Sequence, residues 1–372
     1  MSKQLSGIEA ERPDDRASTP FFSIGVTTYN RPELLRQTLA SITHQTFSDF
    51  EVIVGNDYSQ EPISAERLGI GDSRIRFVNH SKNLGEAQNM NALLELARGR
   101  FFTWQCDDDL YAPDFLKDVH DALVRFDFPT CIFTSYEFIR GTSAPDATRT
   151  FSGKWQLLSG RRFLRMYWSG KLKAMGCTGV YDREHLKKMG GVECLSDSSH
   201  PLYSEHLLLV RAGLEEKVVH IDQPLIRYRL HDSAWGCVTN DLLLYKQAGE
   251  KLIAECIAVF RAPALIADFR PNIDSLLIFV VADYFSKARA SEGFLTRLEA
   301  APFFFSLRKQ FRSLKGTSLY RHSLLSWAST GLRLAWWQIA KFNLKAAMLP
   351  VLCGIKRILR VLFRLNREQT TP

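Results

Sequence analysis

The chain has no Cys-x-x-Cys pair, no Gly-x-Gly-x-x-Gly loop and no internal repeat. Its seven cysteines (Cys106, Cys131, Cys177, Cys194, Cys237, Cys256 and Cys353) are odd in number and scattered. That pattern argues against a disulfide framework or a structural zinc site and fits a reducing compartment. Without the glycine-rich fingerprint, a dinucleotide-binding fold has no positive support. The first twenty residues are polar and contain no apolar segment of the kind that secretion signals carry, so residues 1–20 read as a disordered leader. What is present is ample core material: 372 residues, 45% of them hydrophobic, are enough for one large domain and an appendage.

The net charge of +8 hides an asymmetry. From Ser306 to Pro372 there are thirteen Lys/Arg and one acid, Glu368, a net of +12 that leaves residues 1–305 at −4. The same tail carries Trp327, Trp336, Trp337, Phe342 and Phe363, and aliphatics recur at helical spacing from Ile355 to Leu362. Basic amphipathic helices with interfacial aromatics suit an anionic membrane surface. Arg333, Lys341, Lys345 and Lys356 break every apolar run well short of the roughly 20 residues that a spanning helix needs. A basic face can also serve nucleic acid, but phosphate binding does not call for this much Trp and long aliphatic side chain, so no nucleic-acid partner is expected.

Over the first 140 residues, short apolar runs alternate with helical patterns. Phe22–Thr27, Glu51–Gly55, Ile75–Asn79, Phe101–Gln105 and Cys131–Tyr136 read as strands, and 32–43, 85–97 and 113–126 as the helices between them. Such βαβ alternation predicts an α/β domain with a mostly parallel sheet, which binds ligands beyond the carboxyl ends of its strands. Polar residues gather at those ends: Thr28 to Arg31, Asn56-Asp57, and Asp107-Asp108-Asp109 after Phe101–Gln105. Three adjacent carboxylates repel one another, and a hard divalent cation with oxygen ligands would offset that. The simpler alternative is an acidic cap on the helix that starts near Pro113.

Five stretches in sequence order resemble family 2 glycosyltransferases with the GT-A fold. They are Ile24 to Arg31, Gln45-Thr46-Phe47, Glu51 to Asp57, Asn83-Leu84-Gly85 with Asn89, and Cys106 to Asp114. The resemblance covers about Phe21 to Ser233 and implies a Rossmann-like nucleotide-diphospho-sugar transferase domain. We therefore expect residues 21–235 to form the GT-A domain, 236–305 a helical extension and 306–372 the basic membrane-associating tail.

By the resemblance, Thr28, Tyr29 and Asp57 stand where the base of a nucleotide sugar is held, and Arg31 joins them in donor binding. Asp57 would accept from the ring N–H of a uracil or thymine. Asn83 and Asn89 line the ribose and sugar, Asp107 faces one of the two, and Asp108 and Asp109 reach a divalent cation, Mn or Mg, on the diphosphate. Many members have Asp-x-Asp-Asp here; this chain has Cys106 in the first place. The family usually sets Glu-Asp six residues before an Arg, with the Asp as base. Counting back from Arg211, that place is Glu205, with Ser204 before it. His206, with an ordinary imidazole pKa near ~6.5, is the second candidate base and Asp197 a third. His231, in the place of the family's closing Arg-x-His, either ligates the metal or orders the donor lid, and Arg227 and Arg229 are cations beside it.

The resemblance implies an inverting, metal-dependent transfer of a sugar from a UDP- or dTDP-sugar to a glycan or lipid-linked acceptor in cell-surface polysaccharide synthesis. The expected place is the cytoplasm, at the inner face of the cell membrane. Two rivals stand beside it. A nucleotidyltransferase would need a glycine-rich, basic phosphate loop, which Thr27 to Arg31 lacks; a membrane-bound scaffold that keeps the fold without catalysis is favoured slightly by the Ser204-Glu205 departure.

Overall fold

The structure, a computed structural model, describes residues 19–140, 153–231 and 241–260, all within the first of the chain's two compact units, Met1–Gln310. The leader, most of the helical extension and the whole basic tail lie outside the described residues. The first half alternates as the hydrophobic runs predict: β1 (Phe22–Thr28), α1 (Pro32–Thr43), β2 (Phe50–Asn56), α2 (Ala65–Leu68), β3 (Ile75–Asn79), α3 (Glu86–Leu96), β4 (Phe101–Cys106), β5 (Leu110–Tyr111), α4 (Phe115–Arg125) and β6 (Cys131–Arg140). Then follow β7 (Lys154–Leu158), α5 (Gly160–Trp168), β8 (Val180–Asp182), α6 (Arg183–Lys188), α7 (Ser204–Ala212), β9 (Val218–Leu230) and α8 (Leu242–Phe260).

Among the described residues these strands make one mixed sheet in the order β3-β2-β1-β4-β8-β6-β9-β5, with β7 on β9. β1 runs parallel to β2 and β4, and its register sets Thr28 beside Asn56 and Thr27 beside Cys106. Three polar strand ends therefore open on one edge. β8 joins antiparallel between β4 and β6, while β9 runs parallel to β6 with a register shift at Ser135.

Alternate residues of β1 divide between two helical layers. Phe22, Ile24 and Val26 pack with Leu35, Leu39 and Ile42 of α1 and with Phe115, Val119 and Leu123 of α4. Each such side chain taken fully from water contributes about 1.5–3 kcal/mol. On the other face α3 lies against the sheet so closely that a Cβ at Gly55 would sit 2.1 Å from the Asn89 Oδ1. Trp104 is buried there and donates its indole N–H to the Met90 carbonyl at 2.8 Å. Among the described residues no helix is long and apolar enough to cross a membrane.

Candidate active site

Arg31 closes the first wall of the site. Asn30 takes a left-handed backbone, φ 52°, which Asn tolerates better than most residues, and this turns the chain as it leaves β1 toward α1. The Arg31 guanidinium then reaches over β4, 2.6 Å from Asp107 Oδ1 and 2.8 Å from Asp108 Oδ2. Thr28 Oγ1 donates to the other Asp107 oxygen at 2.6 Å. Asp107 is fully buried, and burial, outweighing Arg31, raises its carboxyl to about 7.

Asp109 is placed by β5. That two-residue strand pairs antiparallel with β9, Leu110 opposite Arg227, so Asp109 meets the end of β9 and accepts the Arg229 backbone N–H at 2.9 Å. Burial first, then the neighbouring Asp108, holds the Asp109 carboxyl well above the ordinary carboxylate range. His231, at the exit of β9, brings Nε2 within 3.0 Å of Asp108 Oδ2. Arg227 is engaged by Glu137 at 3.0 Å, and Arg229 by the Gln37 side chain at 2.8 Å.

The capping alternative for the acidic triplet does not hold. β5 intervenes, and the residue at the start of α4 is Asp114, which accepts from Thr46 Oγ1 at 2.7 Å. One ligand atom each from Cys106, Asp108 and Asp109 lies within 4.8 Å of the others, a spacing that one cation can span. The Cys106 thiol is pushed up by burial and then by Asp109 and Asp108, so it stays a neutral, weak ligand. A hard divalent cation therefore fits best on the Asp108 and Asp109 oxygens, with His231 beside them.

The remaining donor-side residues occupy two different settings. A cavity of about 200 Å³ opens between the ends of β1 and β2, lined by Thr28, Arg31, Asn56, Tyr58 and Ile63 among others. Tyr29 stands exposed at 48%, edge-on to Tyr58 with ring centres 5.2 Å apart. Asp57 is buried, and its two oxygens accept the backbone N–H groups of Leu84, at 2.6 Å, and Gly85, at 2.8 Å, just ahead of α3. Asn83 Oδ1 also accepts the Gly85 N–H at 2.8 Å. Asn89 is buried against β2, donating to the Gly55 carbonyl at 2.9 Å and meeting His80 Nε2 at 3.0 Å. Asp57, Asn83 and Asn89 thus tie α3 to the sheet edge, whereas Thr28, Arg31, Asp107, Asp108, Asp109 and His231 form one contiguous cluster.

The second half of the site is built on α7. Glu205 stands in its first turn, where a carboxylate is favoured by the helix dipole, and its side chain is 31% exposed. The Glu205 backbone is set against Gly176, where a Cβ would come within 2.0 Å of the Glu205 carbonyl oxygen. His206 is buried among the rings of Tyr167, Trp168 and Tyr203. Burial pulls its pKa down to about 3. The expectation of an imidazole that titrates near neutrality is therefore not met, because enclosure by these rings desolvates the charged form. Asp197 is exposed and accepts from Gln247 of α8 at 2.9 Å.

Tyr228 links the halves. It shares a 2.7 Å hydrogen bond with Thr178, and its hydroxyl is raised by burial, then by Asp109, and further by Glu205, so both carboxylates act on one phenol. Sequence reasoning missed Tyr228, Thr178 and Glu86, which pairs with His200 at 3.0 Å. Thr178 and Tyr228 stand 50 residues apart, so no local pattern pairs them.

Residues 23–190 match the model of glycosyl transferase family 2. This segment is a family 2 glycosyltransferase domain. Its fold is that of GT-A glycosyltransferases: over 79% of this chain it is similar to the crystal structure of S. aureus TarS 1-349, with a TM-score of 0.57, 15% identity and 81% of that chain covered. EpsH of Bacillus subtilis, a glycosyltransferase by name, is 22% identical over 70% of this chain. A GalNAc(5)-diNAcBac-PP-undecaprenol beta-1,3-glucosyltransferase of Campylobacter jejuni is 38% identical over 24% of it. The chain spans 75% of EpsH but only 19% to 38% of seven other curated relatives.

Proposed function

We propose that this glycosyltransferase moves a sugar from a UDP- or dTDP-sugar to a glycan or lipid-linked acceptor with inversion, assisted by a divalent cation. The observation that carries this reading is Tyr228, which lies in the field of both Asp109 of the acidic cluster and Glu205, the one acid on α7 that keeps a partly open side chain. That the acidic cluster and the candidate base both act on one residue supports assigning them to a single site. The acceptor hydroxyl oxygen would bond to the anomeric carbon while its proton passes to Glu205 and the bond to the diphosphate breaks, its electron pair leaving with the nucleoside diphosphate.

His206 is the weaker candidate base, since a group pulled down to about 3 takes up a proton poorly at neutral pH. Asp108 and Asp109, with His231, would hold Mn or Mg, which supplies charge neutralisation for the departing diphosphate. Thr28, Arg31 and the cavity they line would take the nucleoside. Each Asp57 oxygen keeps a second lone pair beside the amide it already binds, so a pyrimidine ring N–H remains an acceptable partner.

The lipid-linked acceptor is suggested by the name of the Campylobacter relative, and the basic tail would bring the domain to an anionic membrane surface on the cytoplasmic side. The test is release of nucleoside diphosphate from a panel of UDP-, dTDP- and GDP-sugars with and without Mn²⁺. We expect slow, cation-dependent release from pyrimidine donors; release of pyrophosphate, or silence across the panel, would overturn the reading.

A further inference from the structure

Glu205 and His206 are neighbours in sequence, and adjacent positions of a helix point about 100° apart, so the helix alone does not bring their side chains together. Yet His206 Nε2 lies 3.5 Å from Glu205 Oε1. On the far side of the ring, Nδ1 is 2.8 Å from the hydroxyl of Tyr167, which comes from α5. The ring is clamped between these two oxygens and enclosed by Trp168 and Tyr203.

The chemistry of the partners fixes the direction of both contacts. An ionised carboxylate only accepts, so Nε2 must carry the imidazole proton to be attracted to it. A neutral imidazole has one N–H, which leaves Nδ1 bare. Tyr167 must then donate to Nδ1, and it is suited to do so because burial, with Glu205 next, pushes its phenol up and keeps it protonated. The same burial that makes His206 a poor base keeps it neutral and so keeps this tautomer.

We propose that Tyr167 and His206 form a positioning relay, Tyr167 O–H to His206 Nδ1 and His206 Nε2–H to Glu205 Oε1, that aims the carboxylate of the transfer base at the acceptor hydroxyl. The inference rests on Glu205 being that base. One carboxylate oxygen is engaged by the relay, and an ionised carboxylate offers about four lone-pair sites in all, so capacity remains to take the acceptor proton. The 3.5 Å approach is long for a hydrogen bond, as such contacts often are before substrate binds, and acceptor binding would shorten it.

The relay gives Glu205 a pH signature of its own. Among the described residues, Glu205 acts on Tyr136 of β6, Tyr167 of α5, Tyr181 of β8, Tyr228 of β9 and Cys177. Burial raises every one of them, so all stay neutral through the acidic and neutral range. None of these groups can supply an acidic limb to the rate profile, which the relay assigns to the carboxylate.

The experiment uses the full chain and the hydrolysis of UDP-glucose, UDP-galactose, UDP-N-acetylglucosamine and dTDP-glucose. Tyr167→Phe, which removes one oxygen, should lower kcat about tenfold with donor KM within twofold, and move the acidic limb to higher pH, because a carboxylate with a weakened donor is easier to protonate. His206→Gln keeps an amide N–H near the place of Nε2 and should retain more activity than His206→Leu. Side-chain ¹⁵N spectra of the histidines, which need no turnover, should show His206 protonated at Nε2 and bare at Nδ1. A His206 protonated at Nδ1 overturns the relay. So does an unmoved kcat and acidic limb in Tyr167→Phe while Glu205→Gln is inactive. If Glu205→Gln itself turns over normally, the base assignment fails instead, and the two failures are thereby told apart.

Discussion

Asp108 stands where Arg31, His231 and two flanking carboxylates meet, and its replacement separates charge from shape. Asp108→Asn keeps the size of the side chain but removes one negative charge from the cluster, so Mn²⁺-dependent donor binding should be lost while the circular dichroism spectrum stays unchanged; full retention of binding would contradict the metal reading. Glu205→Gln should lower turnover about 100-fold or more with donor affinity nearly unaltered, the pattern of a group that acts only as the bond is made. Asp107 gives a pH prediction. Its folded pKa, raised to about 7 from an ordinary 3.8, means that the folded state holds a proton that the unfolded state has released between about pH 4 and 7. Stability of the metal-free protein should therefore fall as pH rises through that window, and added Mn²⁺ should offset the fall. A melting temperature flat across the window would contradict it. The acidic triplet was legible in the sequence because three carboxylates after a buried strand demand a partner. That Arg31 is one such partner was not, since nothing local tells which of 48 Lys/Arg folds back across 76 residues to Asp107.

Elements transmit these positions. α3 is pinned to β2 by Asn89, and Gly55 leaves the room, so Gly55→Ala should displace the Asn89 amide and cost about 2–3 kcal/mol in a denaturant titration. At Gly176 an added Cβ would meet the backbone of Glu205 and not a yielding side-chain end. Gly176→Ala should therefore push the start of α7 away and depress turnover far more than donor binding. Here the limits of reading by pattern are visible. α1 and β3 were legible to the residue, and β1, β2, β4, α3 and α4 to within two, because a polar or Pro/Gly break bounds each apolar run. β5, β7 and β8 were not: two, five and three residues long, they hold no periodicity to read, and the pairing of β5 and β7 with β9, and of β8 with β4 and β6, comes from distant chain. The contact of Tyr167 with His206 escaped for the same reason, because α5 and α7 meet across 39 residues.

For the whole molecule, charge is unevenly distributed along the chain. Residues 1–305, net −4, carry the transferase domain, and the tail from Ser306, net +12, carries the basic and aromatic side chains. Each Lys/Arg near an anionic surface contributes about 1 kcal/mol and is screened by salt, whereas the Trp and aliphatic side chains are not. High salt should thus release the full chain from anionic vesicles only in part, and a chain truncated after Ala300 should keep donor hydrolysis but no longer pellet with the vesicles. The most direct test of the central claim is isothermal titration of the full chain with UDP- and dTDP-sugars, with and without Mn²⁺, followed by chromatography of the products. We expect pyrimidine donors to bind more tightly with the cation and to yield nucleoside diphosphate slowly. Failure of every nucleotide sugar to bind under both conditions would contradict the assignment of this site to sugar transfer.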